Sequence, residues 1–109
     1  MRAALSFKNS EDEKLRTLAA ATLARTGALQ AAALRDTTGR TYVAINVATK
    51  NFSLTALDAV FTVAMASQID GIEGVVVMGE KPNAIGAISE YAPSAPIWFC
   101  AKDGEVTAL

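Results

Sequence analysis

The carboxylate best placed to do chemistry in this sequence is Asp58, which shares helical spacing with Thr55 and Thr62, so that an acid and two hydroxyls would line one narrow strip. Such a strip could hold an oxygen-ligated cation. The usual partners of a catalytic acid are missing, because the 109 residues contain no His and a single Cys, Cys100. One thiolate cannot complete a Cys₃ or Cys₂His zinc site within the chain, and no imidazole is present to activate a Ser or Cys nucleophile. Carboxylate, lysine and Ser-Lys chemistry are what remain. Lys50, Lys81 and Lys102 each sit in a polar, turn-like context that argues against desolvation. Cys100 lies between Phe99 and Ala101 in an apolar run, where a thiol reads as a small hydrophobe rather than a nucleophile. The glycines at 71 and 74 and at 79 lack the G-x-G-x-x-G spacing of a phosphate loop. Asp58 stands one residue, about 100° of helix, from its apolar neighbour Leu57, so solvent, a cap or a subunit contact is its expected environment.

The elements that must position these residues follow from periodicity. With 51% apolar residues in 109, the chain supports one core and is expected to be a single domain over 1–109, with 1–9 a loose tail or a short cover over a sheet edge. Ser10 and Glu13 have capping-box spacing and open a helix whose stripe is Leu15, Leu18, Ala19, Thr22 and Leu23, closed by Gly27. Leu29–Leu34 and Thr41–Val47 read as a hairpin around the polar turn 35–40. The run Ala31-Ala32-Ala33 goes against strand propensity there. Asn51 or Ser53 is expected to cap a second, largely buried helix with Leu54, Leu57, Val60, Phe61, Ala64 and Met65 on its broad apolar face. Val75-Val76-Val77-Met78 is continuous rather than alternating, as in a central parallel strand covered on both faces. Pro82 opens a short helix over 84–91, Ile97–Ala101 is a second buried strand, and Val106–Leu109 can pair at an edge. Helix, hairpin, helix, strand, helix and strand in that order make an α/β fold of three αβα layers, with a mixed sheet of about four to five strands.

Charge bounds the partners. Ten basic and eleven acidic residues are scattered without a basic stripe, so nucleic acid is not an expected partner, and Arg35 and Arg40 read as the solvated flanks of a turn. No stretch reaches the roughly 18 apolar residues of a membrane span, and the N-terminus lacks a signal-peptide apolar segment. A lone cysteine suits a reducing compartment, and a cytoplasmic location is expected.

Several local sequences resemble the cytidine deaminase family, in which a small-residue first strand, a turn glycine and a strand ending in N-x-E-N lead to a helix carrying C-A-E. Ala31-Ala32-Ala33-Leu34 falls on that family's G-A-A-L, Gly39 on the turn glycine, Tyr42 on a strand aromatic and Asn46 on the first Asn of N-x-E-N. Phe52-Ser53-Leu54 falls on the approach to the helix. The resemblance spans roughly 13–105 and is specific between Ala31 and Ala64. In the family a His or Cys of the helix and two cysteines of P-C-x-x-C hold zinc, and a glutamate moves protons. Here the resemblance puts Leu57 at the helical ligand, Ala59 at the glutamate, Asn83 in the segment where cysteines are expected, and Ala48 at the ribose-binding glutamate. It therefore implies no catalytic residues, no metal and no cofactor, with Asn46 the one vestige able to hold a nucleoside hydroxyl unless it simply secures a local turn.

The resulting expectation is a pseudoenzyme whose site is drier than its relatives' or filled by packing, acting as a homo-oligomeric (dimeric or tetrameric) binding or assembly module. It would use the Leu57, Val60, Phe61 and Met65 face and could take a protein partner or a weakly held nucleoside. The alternative is a divergent nucleoside or nucleobase deaminase or hydrolase that works through carboxylates such as Asp58 without the usual zinc site.

Overall fold

A computed structural model describes Phe7 and residues 9–109; apart from Phe7 and Asn9, the expected N-terminal tail lies outside the described residues. Helix α1 spans Ser10–Thr26, and its N-cap is Asn9, whose side-chain oxygen accepts the Glu11 N–H at 2.8 Å. The expected Ser10–Glu13 capping box is displaced because Asn caps as well as Ser and stands one position earlier. Glu13 instead pairs with Arg16 at 2.6 Å. Gly27 ends the helix in the left-handed conformation, its N–H donating to the Leu23 carbonyl.

Strand β1, Gln30–Asp36, pairs antiparallel with β2, Thr41–Ile45, from Ala31 opposite Ile45 to Arg35 opposite Thr41. Asp36 builds the turn between them: its Oδ1 accepts the Thr38 N–H, the Thr38 hydroxyl and the Arg40 N–H, and its Oδ2 accepts the Tyr42 hydroxyl at 3.1 Å. A side hairpin, β3 (Val47–Ala48) with β4 (Ser53–Leu54), then delivers the chain to helix α2, Ala56–Ala66. The α2 cap is Thr55, whose Oγ1 accepts the Asp58 N–H at 3.1 Å. Asn51 and Ser53 stand too early to cap it, because Ser53 and Leu54 are spent on strand pairing. Strand β5 (Ile72–Gly79), helix α3 (Gly86–Tyr91), β6 (Ile97–Cys100) and β7 (Val106–Ala108) complete the chain. Helix α3 begins four residues after Pro82, later than the sequence suggested, and has no side-chain cap.

The main sheet has the order β2-β1-β5-β6-β7 and is mixed, since β5 runs antiparallel to β1 and parallel to β6, and β7 returns antiparallel to β6. Period-two alternation divides two cores between its faces. Ala31, Ala33, Val76 and Cys100 pack with Leu15 and Ala19 of α1. Ala32, Leu34, Val75, Val77 and Ile97 pack with Leu57, Val60 and Ala64 of α2 and Ile88 of α3. This is the expected three-layer αβα arrangement with five strands in the main sheet. It accounts for the alanine run, because β1 is buried on both faces and small side chains let a helix close on each side, so tertiary packing overrides helix propensity.

One reading of the turn is overturned. Arg40 is exposed, but Arg35 is 5% exposed. Its Nη1 donates to Asp12 Oδ1 at 3.0 Å and its Nε to Glu73 Oε1 at 3.2 Å. Strand alternation turns Arg35 onto the α1 face, where Asp12 of the first helical turn meets it. Gly74, its cross-strand partner, makes the space: a Cβ there would come 2.9 Å from Asp12 Oδ1 and 3.3 Å from Arg35 Nη2. Among the described residues no helix is long and apolar enough to cross a membrane.

Candidate functional site

Ligand sites in open α/β sheets form outside the carboxyl ends of the strands, and here the carboxyl end of β5 meets the amino end of the antiparallel β1. Gly79 makes the meeting possible. It closes β5 at φ 97°, and a side chain on it would collide with the Leu29 carbonyl oxygen, so the two backbones touch and the Glu80 N–H donates to that oxygen at 3.0 Å. Beside this crossing is a cavity of about 240 Å³. Leu29 and Gln30 line it at the start of β1, Asn46 between β2 and β3, and Val47 and Ala48 from β3. Ser53, Leu54 and Thr55 line it from the approach to α2, and Glu80 and Asn83 from the segment after β5.

Gln30 ties these pieces together. It is 6% exposed, its Oε1 accepts the Ala56 N–H at the start of α2 at 3.0 Å, and its Nε2 donates to the Glu80 carbonyl at 2.9 Å. Its backbone N–H donates to Asn46 Oδ1 at 2.9 Å, while the Asn46 N–H donates to the Gln30 carbonyl at 3.3 Å. Asn46 therefore bonds backbone, as a strand-end Asn does, but across to β1 rather than within a local turn. Every contact in this group is neutral, and Glu80 is the one ionisable side chain of the lining. The Thr55 hydroxyl is engaged in the α2 cap. Chemically the cavity offers amide and hydroxyl hydrogen bonding, with no nucleophile set beside a base.

The positions singled out in the sequence divide between cavity and core. Asn46, Ala48 and Asn83 come together on the cavity. Leu57 and Ala59 do not line it, being 1% and 6% exposed within the packed interior. Leu57 and Ala59 thus belong to the packed interior, and the cavity is lined by other residues. Asp58 is outside the lining, with its backbone N–H on Thr55 and its carbonyl accepting the Thr62 hydroxyl. Of the four residues expected on an interface, Leu57 and Val60 are corrected to core, both at or below 1% exposure. Helix α2 is apolar nearly all round, and its own sheet takes the face they occupy. Phe61 is half-buried with its ring edge-on to Tyr91 at 5.8 Å, Met65 is 38% exposed, and Val63, absent from the sequence reading, is 44% exposed.

Cys100 lies on the α1 face of the sheet, away from α2, and burial pushes its thiol up to about 11. Trp98 packs edge-on to Phe7 at 5.7 Å, and its Nε1 is buried without a hydrogen-bond partner. Among the described residues no group of three or more His, Cys, Asp or Glu is placed to hold a metal ion. Gln30 and Glu80 escaped the sequence reading, and Thr55, read there as part of a polar strip, is instead the α2 cap on the cavity lining. Gln30 had one signal, a long polar residue at the head of a strand of small apolar ones; Glu80 had the carboxyl end of the central strand.

A family model described as cytidine deaminase-like matches residues 8–104. The chain belongs to the cytidine deaminase-like family. The cytidine deaminase-like fold recurs in solved structures, among them the cytidine deaminase of Burkholderia pseudomallei, with a TM-score of 0.74 and 16% identity over 89% of this chain and 90% of that one. The cytidine deaminase of Mycobacterium leprae gives a TM-score of 0.63 at 16% identity over 88% and 91% of the two chains. That of Bacillus anthracis gives 0.71 at 13% identity over 93% and 83%. At such identities the likeness concerns the fold. No curated protein matches the sequence.

Proposed function

We propose that this cytidine deaminase-like protein is non-catalytic, a cytoplasmic binding or assembly module that acts as a homo-oligomer and holds a nucleoside weakly if at all. The observation that carries the reading is the donor chemistry. The 109 residues supply no imidazole and one thiol, and that thiol, Cys100, is 1% exposed on the α1 side of the sheet. The positions that the resemblance makes zinc ligand and proton shuttle are Leu57 and Ala59, both packed in the interior. A zinc ion does not fit such residues, since an apolar side chain offers it no lone pair. Two polar residues of the cavity lining, the buried Gln30 and the part-buried α2 cap Thr55, are already hydrogen-bonded. The cavity, at about 240 Å³, falls below the roughly 300–1,000 Å³ of pockets that enclose small ligands. Support for assembly comes from α2, where Met65 is exposed four residues after Phe61, whose ring meets Tyr91, and where Val63 is exposed on another side of the helix. A second copy of the chain, or a protein partner, would remove this apolar surface from water.

The test is direct: purified protein is incubated with cytidine, with and without added zinc, while ammonia release is followed and bound metal is measured by elemental analysis. The expected result is neither turnover nor stoichiometric zinc. Zinc bound at one equivalent together with ammonia release would overturn the reading.

A further inference from the structure

Among the described residues five polar or charged ones are buried, and of these Gln30 is the one on the cavity lining. Its carboxamide lies between two backbone groups far apart in sequence, accepting from the Ala56 N–H and donating to the Glu80 carbonyl. One N–H donor and one C=O acceptor held at the spacing of a single carboxamide form a recognition pair for any amide edge. We propose that Gln30 is an internal ligand: it fills a carboxamide-binding subsite of this chain's own backbone beside the cavity and so denies that subsite to amide-bearing small molecules. This goes beyond the non-catalytic reading and does not depend on it, since it concerns which chemistry the cavity accepts.

Two features distinguish an internal ligand from an ordinary buried glutamine. The groups it satisfies belong to different elements, the start of α2 and the segment after β5, so losing the side chain leaves a donor and an acceptor both unpaired. The backbone around them is also held independently of Gln30's side chain, through the Gly79 crossing, the Glu80–Leu29 hydrogen bond and the Thr55 cap. Removing the carboxamide should therefore leave the frame of the subsite standing.

The substitution Gln30→Ala removes a CH₂–CONH₂ unit, for which acetamide is the matching probe. Thermal unfolding of full-length wild-type and Gln30→Ala protein is followed against acetamide, with urea-free buffer and isosteric acetone as controls. The expected result is a saturable rise in Tm for Gln30→Ala with acetamide alone, and none for the wild type. A Gln30→Ala protein that fails to fold should regain its far-UV circular dichroism in acetamide and not in acetone. In Gln30→Glu the carboxylate has no proton to give the Glu80 carbonyl, so this variant should gain stability relative to wild type as the pH falls and the acid becomes a donor. An unchanged Tm or fold of Gln30→Ala in acetamide, an equal response of the wild type, or a Gln30→Glu profile parallel to wild type would each overturn the proposal.

Discussion

Asp12 lies in the first turn of α1, where a negative charge suits the helix dipole, and that role is legible from its position alone. Its second role is not. Asp12 and Arg35 are each 6% exposed at the side chain and meet at 3.0 Å, while Glu73, on the same guanidinium, is 49% exposed. Removing one member of a buried pair strands the other charge at a cost of about 3–5 kcal/mol, whereas an exposed pair is worth under about 1 kcal/mol. Asp12→Ala should therefore lower the urea-unfolding free energy by several times as much as Glu73→Gln, and equal losses would show that the pair is not buried in solution. Asp36 poses the opposite electrostatic problem. Burial alone would raise its carboxyl, but the hydrogen bonds from the Thr38 side chain, the Arg40 and Thr38 N–H groups and Tyr42 outweigh it and hold the pKa below the usual value. A carboxyl depressed in the folded state stabilises above its unfolded pKa, and that stability is lost as pH falls through the folded pKa, here below about pH 4. Urea midpoints measured from neutral to acid pH should consequently fall less steeply below that point in Asp36→Asn than in wild type.

At the scale of elements, α2 and the β1–β5 crossing carry the site. Leu57, at the position the resemblance gives to a zinc ligand, is 1% exposed beneath α2, so Leu57→Ala should cost about 2–5 kcal/mol in chemical denaturation, as a buried leucine does. A loss under about 1 kcal/mol would mean that this turn of α2 is loosely packed. Gly79 has a positive φ and no room for a Cβ against the Leu29 carbonyl. Gly79→Ala should cost more than the roughly 1–2 kcal/mol of a left-handed residue alone, because backbone must also move. Gly27, left-handed at φ 67° with open space around it, is the control: Gly27→Ala should show the conformational cost without the collision. The order of these elements was readable because each has its own period, 3.6 for the stripe of α1 and continuous burial for β5. The caps were read too late by one residue at α1 and too early by two or four at α2, because Asn9, Ser10, Asn51, Ser53 and Thr55 are all competent capping residues, and the strand pairing of Ser53 with Ala48 takes Ser53 out of the choice.

For the molecule as a whole, the assembly reading makes a prediction about mass. Val63 and Met65 are exposed on α2 while Leu57 and Val60 are core, so charge introduced at the former should disturb contacts between copies and leave the fold intact. Val63→Glu combined with Met65→Glu is expected to lower the mass measured by light scattering from an oligomer to a monomer, with Tm changed by no more than the loss of the contact explains. A wild-type monomer across the micromolar range would remove the homo-oligomer from the proposal.

The sequence by itself determined the layer architecture and the chemistry the chain lacks: hydrophobic periods select helix or strand, and no folding can create an imidazole or a second thiol in 109 residues that have neither. Tertiary structure alone decided which polar residues are buried and what they meet. Asp12 and Arg35 are 23 positions apart, Gln30 and Ala56 26, and Gln30 and Glu80 50. A pairing across such separations is set by which strand faces which helix, and local sequence holds no record of it until the sheet is assembled.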